Sequence, residues 1–206
     1  MSQIIFKSHD LIPFEIERVA SLHKNGIKMG FLSSLGEVFL RLLYWAISQS
    51  SSGVLIVAIK DGEIIGFVSG TWSLRSIYYL FIKRSFFVMP FALLLKMINP
   101  KNLKKIIDVI VYSLRPIDEK YTNPSAELLS IVVDEKYRGQ GIAQALFEQL
   151  AVKFHKRGFS KFKIIVGEVL ISAQHFYEKM GAQKRRKIEI HKGEVSWEYI
   201  LDVSNK

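Results

Sequence analysis

The residues with the clearest chemical potential lie in one run, Leu128-Leu129-Ser130-Ile131-Val132-Val133-Asp134-Glu135-Lys136-Tyr137-Arg138-Gly139-Gln140-Gly141-Ile142-Ala143. An apolar stretch of strand length passes through a short polar loop into a helical pattern that opens at Gly141. The first N–H groups of a helix have no partner within it, and the helix dipole adds partial positive charge, so an anion is favoured there. Glycines at 139 and 141 let backbone approach a phosphate with no Cβ in the way. Arg138 adds a charged fork of donors. Two other phosphate loops do not fit. A P-loop needs Gly-Lys-Ser/Thr at its end, and a dinucleotide fingerprint needs a third glycine where Gln144 stands. Glycines at this spacing also serve a plain strand-to-helix turn, and taken alone they leave both readings open.

The elements that must carry this run follow from periodicity. Ile4 to Lys7 reads as a first strand, and Phe14 to Lys24 as a helix that stops at Asn25-Gly26. A second helix is expected from Ser34, with Glu37 completing a capping box and Leu35, Phe39, Leu42, Leu43 and Ala46 as its apolar stripe. Val54 to Lys60 and Glu63 to Thr71 flank Asp61-Gly62, a strong hairpin signal. From Leu74 to Pro116 the pattern is helical and basic, broken at Pro90 and Pro100, and a polar loop follows from Asp118 to Ser125. Glu127 to Val133 reads as a buried central strand. Gly141 to His155 is a helix, Phe159 to Val166 a strand, and Ser172 to Met180 a short helix closed by Gly181. Lys184 to His191 and Glu194 to Leu201 form a closing hairpin across Lys192-Gly193. The order is β-α-α-β-β-[helical insertion]-β-α-β-α-β-β, a single α/β domain over residues 1–206 with the insertion at 74–116.

Composition narrows the chemistry. The 206 residues are 49% hydrophobic, enough for a sizeable core without staples. There is no cysteine, so disulfides, thiol nucleophiles and Cys-ligated metals are excluded, and a reducing, cytoplasmic setting fits. The five His residues show no ligand spacing, and no metal site is expected. No apolar run approaches the roughly 20 residues of a membrane span, and the Met1 to Asp10 segment lacks the pattern of a signal peptide. The net charge of +10 is concentrated: residues 74–116 hold eight Lys or Arg against Asp108 alone, a local +7. Such a surface suits an anionic partner. A nucleic-acid partner is not expected, because the cations sit among bulky apolar residues and no binding module appears.

The run at 128–143 resembles the acyl-CoA-binding motif of the GNAT superfamily of N-acetyltransferases, Arg/Gln-x-x-Gly-x-Gly/Ala, here Arg138-x-x-Gly141-x-Ala143. A second match, Ala173-x-x-Phe176-Tyr177-Glu178-Lys179-x-Gly181, is similar to the family's helix bearing a tyrosine beside the thioester sulfur. Two positions depart from the pattern: Leu170 stands where Asn is frequent, and Ala182 where Phe is frequent. The resemblance implies a mixed, mostly antiparallel central sheet flanked by helices, with acetyl-CoA as acyl donor and no metal. It implies that Arg138, Gly139, Gln140, Gly141, Ile142 and Ala143 grip the pyrophosphate. Ile131, Val132 and Val133 would pair with the pantetheine arm as an added strand does.

Acetyl transfer to an amine needs a base for the amine, a polarised carbonyl and a proton for the leaving thiolate. Tyr177, a phenol of reference pKa about 10 against about 8.5 for a thiol, is protonated at neutral pH and suited to the last task. Glu127 stands where some members of the family carry a catalytic glutamate, with Glu168 as the alternative base. A backbone N–H at Val132 or Val133 would polarise the carbonyl. His155 and His175 are read as structural or solvated. The acceptor expected is a primary amine, with a small amino sugar or sugar nucleotide suggested by a loose likeness of Gly30 to Leu40 to GNAT proteins of bacterial polysaccharide pathways. A protein or peptide amine, or a non-catalytic CoA-binding regulatory module, are the competing readings. The 74–116 segment is expected to form a helical lid over the acceptor pocket, with weak peripheral contact with anionic membranes as its alternative role. The oligomeric state is left open, a dimer included.

Overall fold

A computed structural model describes residues 3–8, 11–28, 31–88, 124–191 and 194–204. Seven strands form one sheet in the order β1 (Ile5–Lys7), β2 (Gly53–Lys60), β3 (Glu63–Thr71), β4 (Glu127–Val133), β5 (Lys161–Gly167), β7 (Glu194–Asp202), β6 (Gln183–His191). All neighbours are antiparallel except β4 and β5. The sheet is therefore mixed and mostly antiparallel, as expected.

Helices cover both faces. On one, α5 (Ile142–Lys156) and α6 (Ile171–Lys179) close a core around Phe147, Phe154 and Phe162. On the other, α1 (Pro13–Gly26), α3 (Glu37–Gln49) and α4 (Leu74–Val88) close a second around Leu40, Ile47 and Phe67. The central strands serve both and are buried along most of their length, which is why they read as unbroken apolar runs.

Two local expectations are corrected. The helix placed from Ser34 begins instead at Glu37; Gly36, at φ 89°, ends the short helix α2 (Phe31–Ser34) and starts α3 without a side-chain cap. Gly26 is still helical, and Ile27 N–H closes α1 on the His23 carbonyl at 2.8 Å. What needs glycine at position 26 is packing, since a Cβ there would lie 2.5 Å from Val132 Cγ1. Of the helical insertion at 74–116, residues 74–88 form α4, and 89–116 lie outside the described residues, as do 118–123 of the polar loop. Among the described residues, no helix is long and apolar enough to cross a membrane.

β4 carries the irregularity that matters. Its pairing with β3 shifts between Ser69 and Gly70, so that Ser130 faces Ser69 but Leu128 faces Gly70. Leu129 is the extra residue of a β-bulge, and the bulge changes which face each side chain meets. Ala126 and Leu128 enter the α5 core, whereas Leu129 and Val132 enter the α1–α3 core.

Beneath the bulge lies a buried polar pair. His23 Nδ1 and the Tyr44 hydroxyl are 2.5 Å apart, and His23 Nε2 has no partner among the described residues. Burial lowers the His23 pKa from 6.5 to about 4. A histidine held neutral this way binds fewer protons folded than unfolded between those values. Its contribution is complete above pH 6.5 and is lost as pH falls toward 4, by about 3 kcal/mol for a shift of this size. Urea unfolding at pH 7 and 4.5 should show the decline in wild type and a flatter dependence in His23→Gln.

Candidate active site

β4 leaves the sheet through a 3-10 turn, Glu135–Tyr137, capped by the Asp134 side chain, which accepts from Lys136 N–H at 3.2 Å. Arg18 on α1 steadies this exit: its Nη2 donates to Asp134 at 2.9 Å and its Nε to the Ile64 carbonyl at 3.1 Å. Arg138 then donates from Nε to the Val133 carbonyl at 3.3 Å. Gly139 and Gly141 both sit at φ 76°, and Gly141 is the N-cap of α5 with no side-chain cap. Residues 138 to 141 are exposed, with nothing within 4 Å of where a Cβ would stand on either glycine. The uncapped N-terminus of a 15-residue helix thus opens to solvent beside Arg138, a disposition suited to an anion. A cleft of about 310 Å³ adjoins it, lined in part by Arg18, Lys28, Val132, Val133, Lys136 and Arg138.

The chain above this turn offers a second feature. On its β3 side, β4 is paired down to Val133, opposite Gly66. On its β5 side, pairing comprises Glu127 with Lys163 and Leu128 with Ile164, and then the strands part. Ile131, Val132 and Val133 consequently turn an unpaired edge toward β5, and backbone groups on such an edge seek partners.

Tyr177 lies on α6 on the α5 side of the sheet, buried among Phe147 and Phe176 with ring centroids at 6.1 and 5.3 Å. Burial raises its phenol pKa, so the hydroxyl keeps its proton. Glu127 lies on the other side of the sheet. Its neighbours Ala126 and Leu128 enter the α5 core, so by alternation its carboxylate meets α4, where Tyr78 feels its charge. The two groups therefore lie on opposite faces of the sheet.

Glu127 is 7% exposed, and its pKa is raised chiefly by burial, with a further push from Glu198 and an opposing pull from Lys163. Lys163 Nζ lies 3.4 Å from its buried Oε2, an ion pair at the long end of hydrogen-bonding distance. Glu198 is 1% exposed and held by Arg186, whose Nε donates at 2.9 Å and Nη2 at 3.3 Å. Glu168 is paired with Lys187 at 2.6 Å at the far end of β5, away from Glu127. Leu170 is the N-cap of α6 and partly exposed, whereas Ala182 is buried. Tyr78, Lys163, Arg186 and Glu198 were not singled out in the sequence. The only trace was a polar phase in Lys161-Phe162-Lys163-Ile164, which a solvated strand face explains equally well.

A larger cavity, about 570 Å³, opens at the opposite end of α5 between Ser50, Trp72, Lys153 and Arg157. It gathers the C-terminal ends of α3 and α5 and none of the predicted site residues. Among the described residues no cluster of His, Asp or Glu is placed to hold a metal.

A family model for the acetyltransferase (GNAT) family matches residues 27–182. The chain belongs to that family. This GNAT acetyltransferase is similar in fold to an N-acetyltransferase from Staphylococcus aureus, with TM-score 0.64 and 14% identity over 98% of this chain and 100% of that one. It is also similar to an aminoglycoside 6'-N-acetyltransferase complexed with coenzyme A (0.62, 12%, covering 98% of each chain). A third is the ribosomal-protein-S18-alanine N-acetyltransferase of Escherichia coli (0.58, 15%, 98% and 96%). At these identities the likeness is one of fold. Comparison with curated proteins finds no significant match.

Tyr177 yields a stability prediction independent of any reaction. The hydroxyl adds little to folding beside the ring, which fills the core. Tyr177→Phe should change unfolding free energy by less than about 0.5 kcal/mol, and Tyr177→Ala should cost roughly 3–5 kcal/mol, read by denaturant melts.

Proposed function

We propose that this GNAT enzyme transfers an acetyl group from acetyl-CoA to a primary amine, with small amino sugars or sugar nucleotides as the acceptor class. The observation that carries the reading is the unpaired β4 edge running directly into a positive-φ glycine turn at an open helix N-terminus. That geometry fits an extended arm ending in a pyrophosphate: backbone groups of Ile131 to Val133 beside the arm, and the amides of Gly139 to Ala143 with Arg138 around the phosphates. The donor supplies an activated carbonyl on sulfur. Tyr177 then protonates the departing thiolate, a task suited to a phenol that burial keeps neutral. Glu127 accepts the proton of the attacking amine from the opposite side of the sheet. A raised pKa brings a carboxylate closer to the range of an effective base. A backbone N–H of Val132 or Val133 stabilises the oxyanion.

The acceptor class rests on less. The name of one structural neighbour pairs this fold with aminoglycosides, and that of another with a protein alanine. The covered position of Glu127 beneath Tyr78 of α4 suits a small acceptor, and α4 would contribute to the lid expected of residues 74–116. A mass-spectrometric screen of purified protein, acetyl-CoA and candidate amines tests this directly. An acetylated amino sugar is the expected product, and exclusive modification of peptide N-termini refutes the class.

Acetyl-CoA should raise the melting temperature of the wild type, because a ligand that binds only the folded state stabilises it. Gly141→Glu puts bulk and negative charge at the phosphates and should abolish the shift; a full shift in the folded variant removes the turn from donor binding. Tyr177→Phe should keep the shift while turnover falls about 10- to 1000-fold. In wild type, kcat/KM should decline as pH drops through the raised Glu127 pKa. Glu127→Gln should remove that limb, with a loss that shrinks as pH approaches the amine's own pKa. Wild-type profiles in both variants would return Tyr177 and Glu127 to structural roles.

A further inference from the structure

The residue opposite Glu127 has so far been given no part in the reaction. β4 and β5 run parallel for two pairs, and the register places Lys163 against Glu127 at the last rungs before the strands part. Phe162 and Ile164 enter the α5 core, which turns Lys163 to the same face as Glu127. Both side chains are largely covered, at 15% and 9% exposure. An isolated carboxylate at such depth is driven toward its neutral form, and a neutral carboxyl cannot take a proton from an amine.

The charges around Glu127 decide whether it stays ionised. From α4 comes the Tyr78 phenol, from β7 the Glu198 carboxylate, and from β5 the Lys163 ammonium; β3 places neutral Thr71 opposite it. Glu198 is occupied by the fork of Arg186 on β6, so it opposes the charge on Glu127 and shares no proton with it. Lys163 is the cation that the described residues bring within ion-pair distance of Glu127.

We propose that Lys163 is a positioning residue for acyl transfer: its ammonium, fixed by the parallel β4–β5 register, keeps the Glu127 carboxylate ionised where the sheet opens. Glu127 Oε2 is buried, and the Lys163 ammonium stands 3.4 Å from it, so the charge nearest the carboxylate is one that favours its ionised form. Removing the cation should make Glu127 harder to ionise, and removing the Glu198 charge should make it easier. Opposite shifts from two neighbours are the signature of electrostatic control; a packing defect would not change sign.

The inference rests on Glu127 being the base, and its test reads the carboxyl group itself. In full-length protein labelled at glutamate Cδ, the Glu127 carbon resonance is identified by its loss in Glu127→Gln and followed against pH. Lys163→Met should raise its titration midpoint by about 1–3 pH units, the range for loss of an opposite charge at this distance. Lys163→Arg should hold it near wild type, and Glu198→Gln should lower it. The acid limb of kcat/KM, measured with acetyl-CoA and an amine returned by the screen, should move with the midpoint. An unmoved midpoint in folded Lys163→Met overturns the role of Lys163 alone. If that variant does not fold, a midpoint that fails to drop in Glu198→Gln overturns it instead. Full turnover in Glu127→Gln overturns the base assignment and with it any part for Lys163 in the transfer, whatever the midpoints do.

Discussion

One extra residue in β4 governs the arrangement of this molecule. A strand paired on both edges offers nothing to a ligand, because its backbone groups are already satisfied. The bulge at Leu129 exchanges the faces of β4 side chains partway along and accompanies the end of pairing with β5 after Leu128. Below that point β4 is an ordinary central strand. Beyond it, Ile131 to Val133 remain fixed to β3 on one side and are free on the other. The glycine turn and the open N-terminus of α5 follow on the same chain, so the free edge leads into the uncapped helix end by covalent continuity.

The gap also resolves an electrostatic conflict. Tyr177 works as a proton donor only if kept neutral, which its aromatic surroundings ensure. Glu127 works as a base only if kept charged, which the same surroundings would prevent. The sheet separates them: the phenol sits in an apolar core with α5 and α6, and the carboxylate on a face where Lys163, Glu198 and Arg186 alternate in sign across neighbouring strands. In the proposed reaction two groups with opposed requirements are thus held in two environments, the arrangement by which pKa values are driven apart in acid–base sites.

Much of this was legible in the sequence, for identifiable reasons. The hairpin Glu63 to Thr71 was bounded correctly because Asp61-Gly62 fixes a turn by backbone preference alone. The strand, turn and helix from Glu127 to Lys156 were legible because apolar runs, glycines and helical periodicity follow one another without overlap. Leu129 was not legible as a bulge: in a strand buried on both faces every residue is apolar, and a one-residue slip leaves no mark on the pattern. Lys163 was missed for a related reason, since strand alternation gives its face and says nothing of its partner until a parallel register is known. Gly26 was read as a helix stop because glycine commonly is one, but its cause lay 106 positions away at Val132. Local signals carried the elements, and nonlocal pairing carried the chemistry.

Donor and acceptor sides also differ in what holds them. The proposed donor side is built from contiguous chain, residues 131 to 143, whose turn geometry depends on backbone conformation at two glycines. The proposed acceptor side is assembled from distant pieces around Glu127: Tyr78 of α4, Lys163 of β5, Arg186 of β6 and Glu198 of β7. None of those side chains supplies the backbone that opens the strand. A fold divided in this way can hold one acyl donor while the acceptor varies. Proteins sharing this fold at 12 to 15% identity carry names that pair it with acceptors as unlike as an aminoglycoside and a ribosomal-protein alanine. On the proposed reading, what selects the acceptor lies in the side chains around Glu127, and the glycine turn carries no information about it.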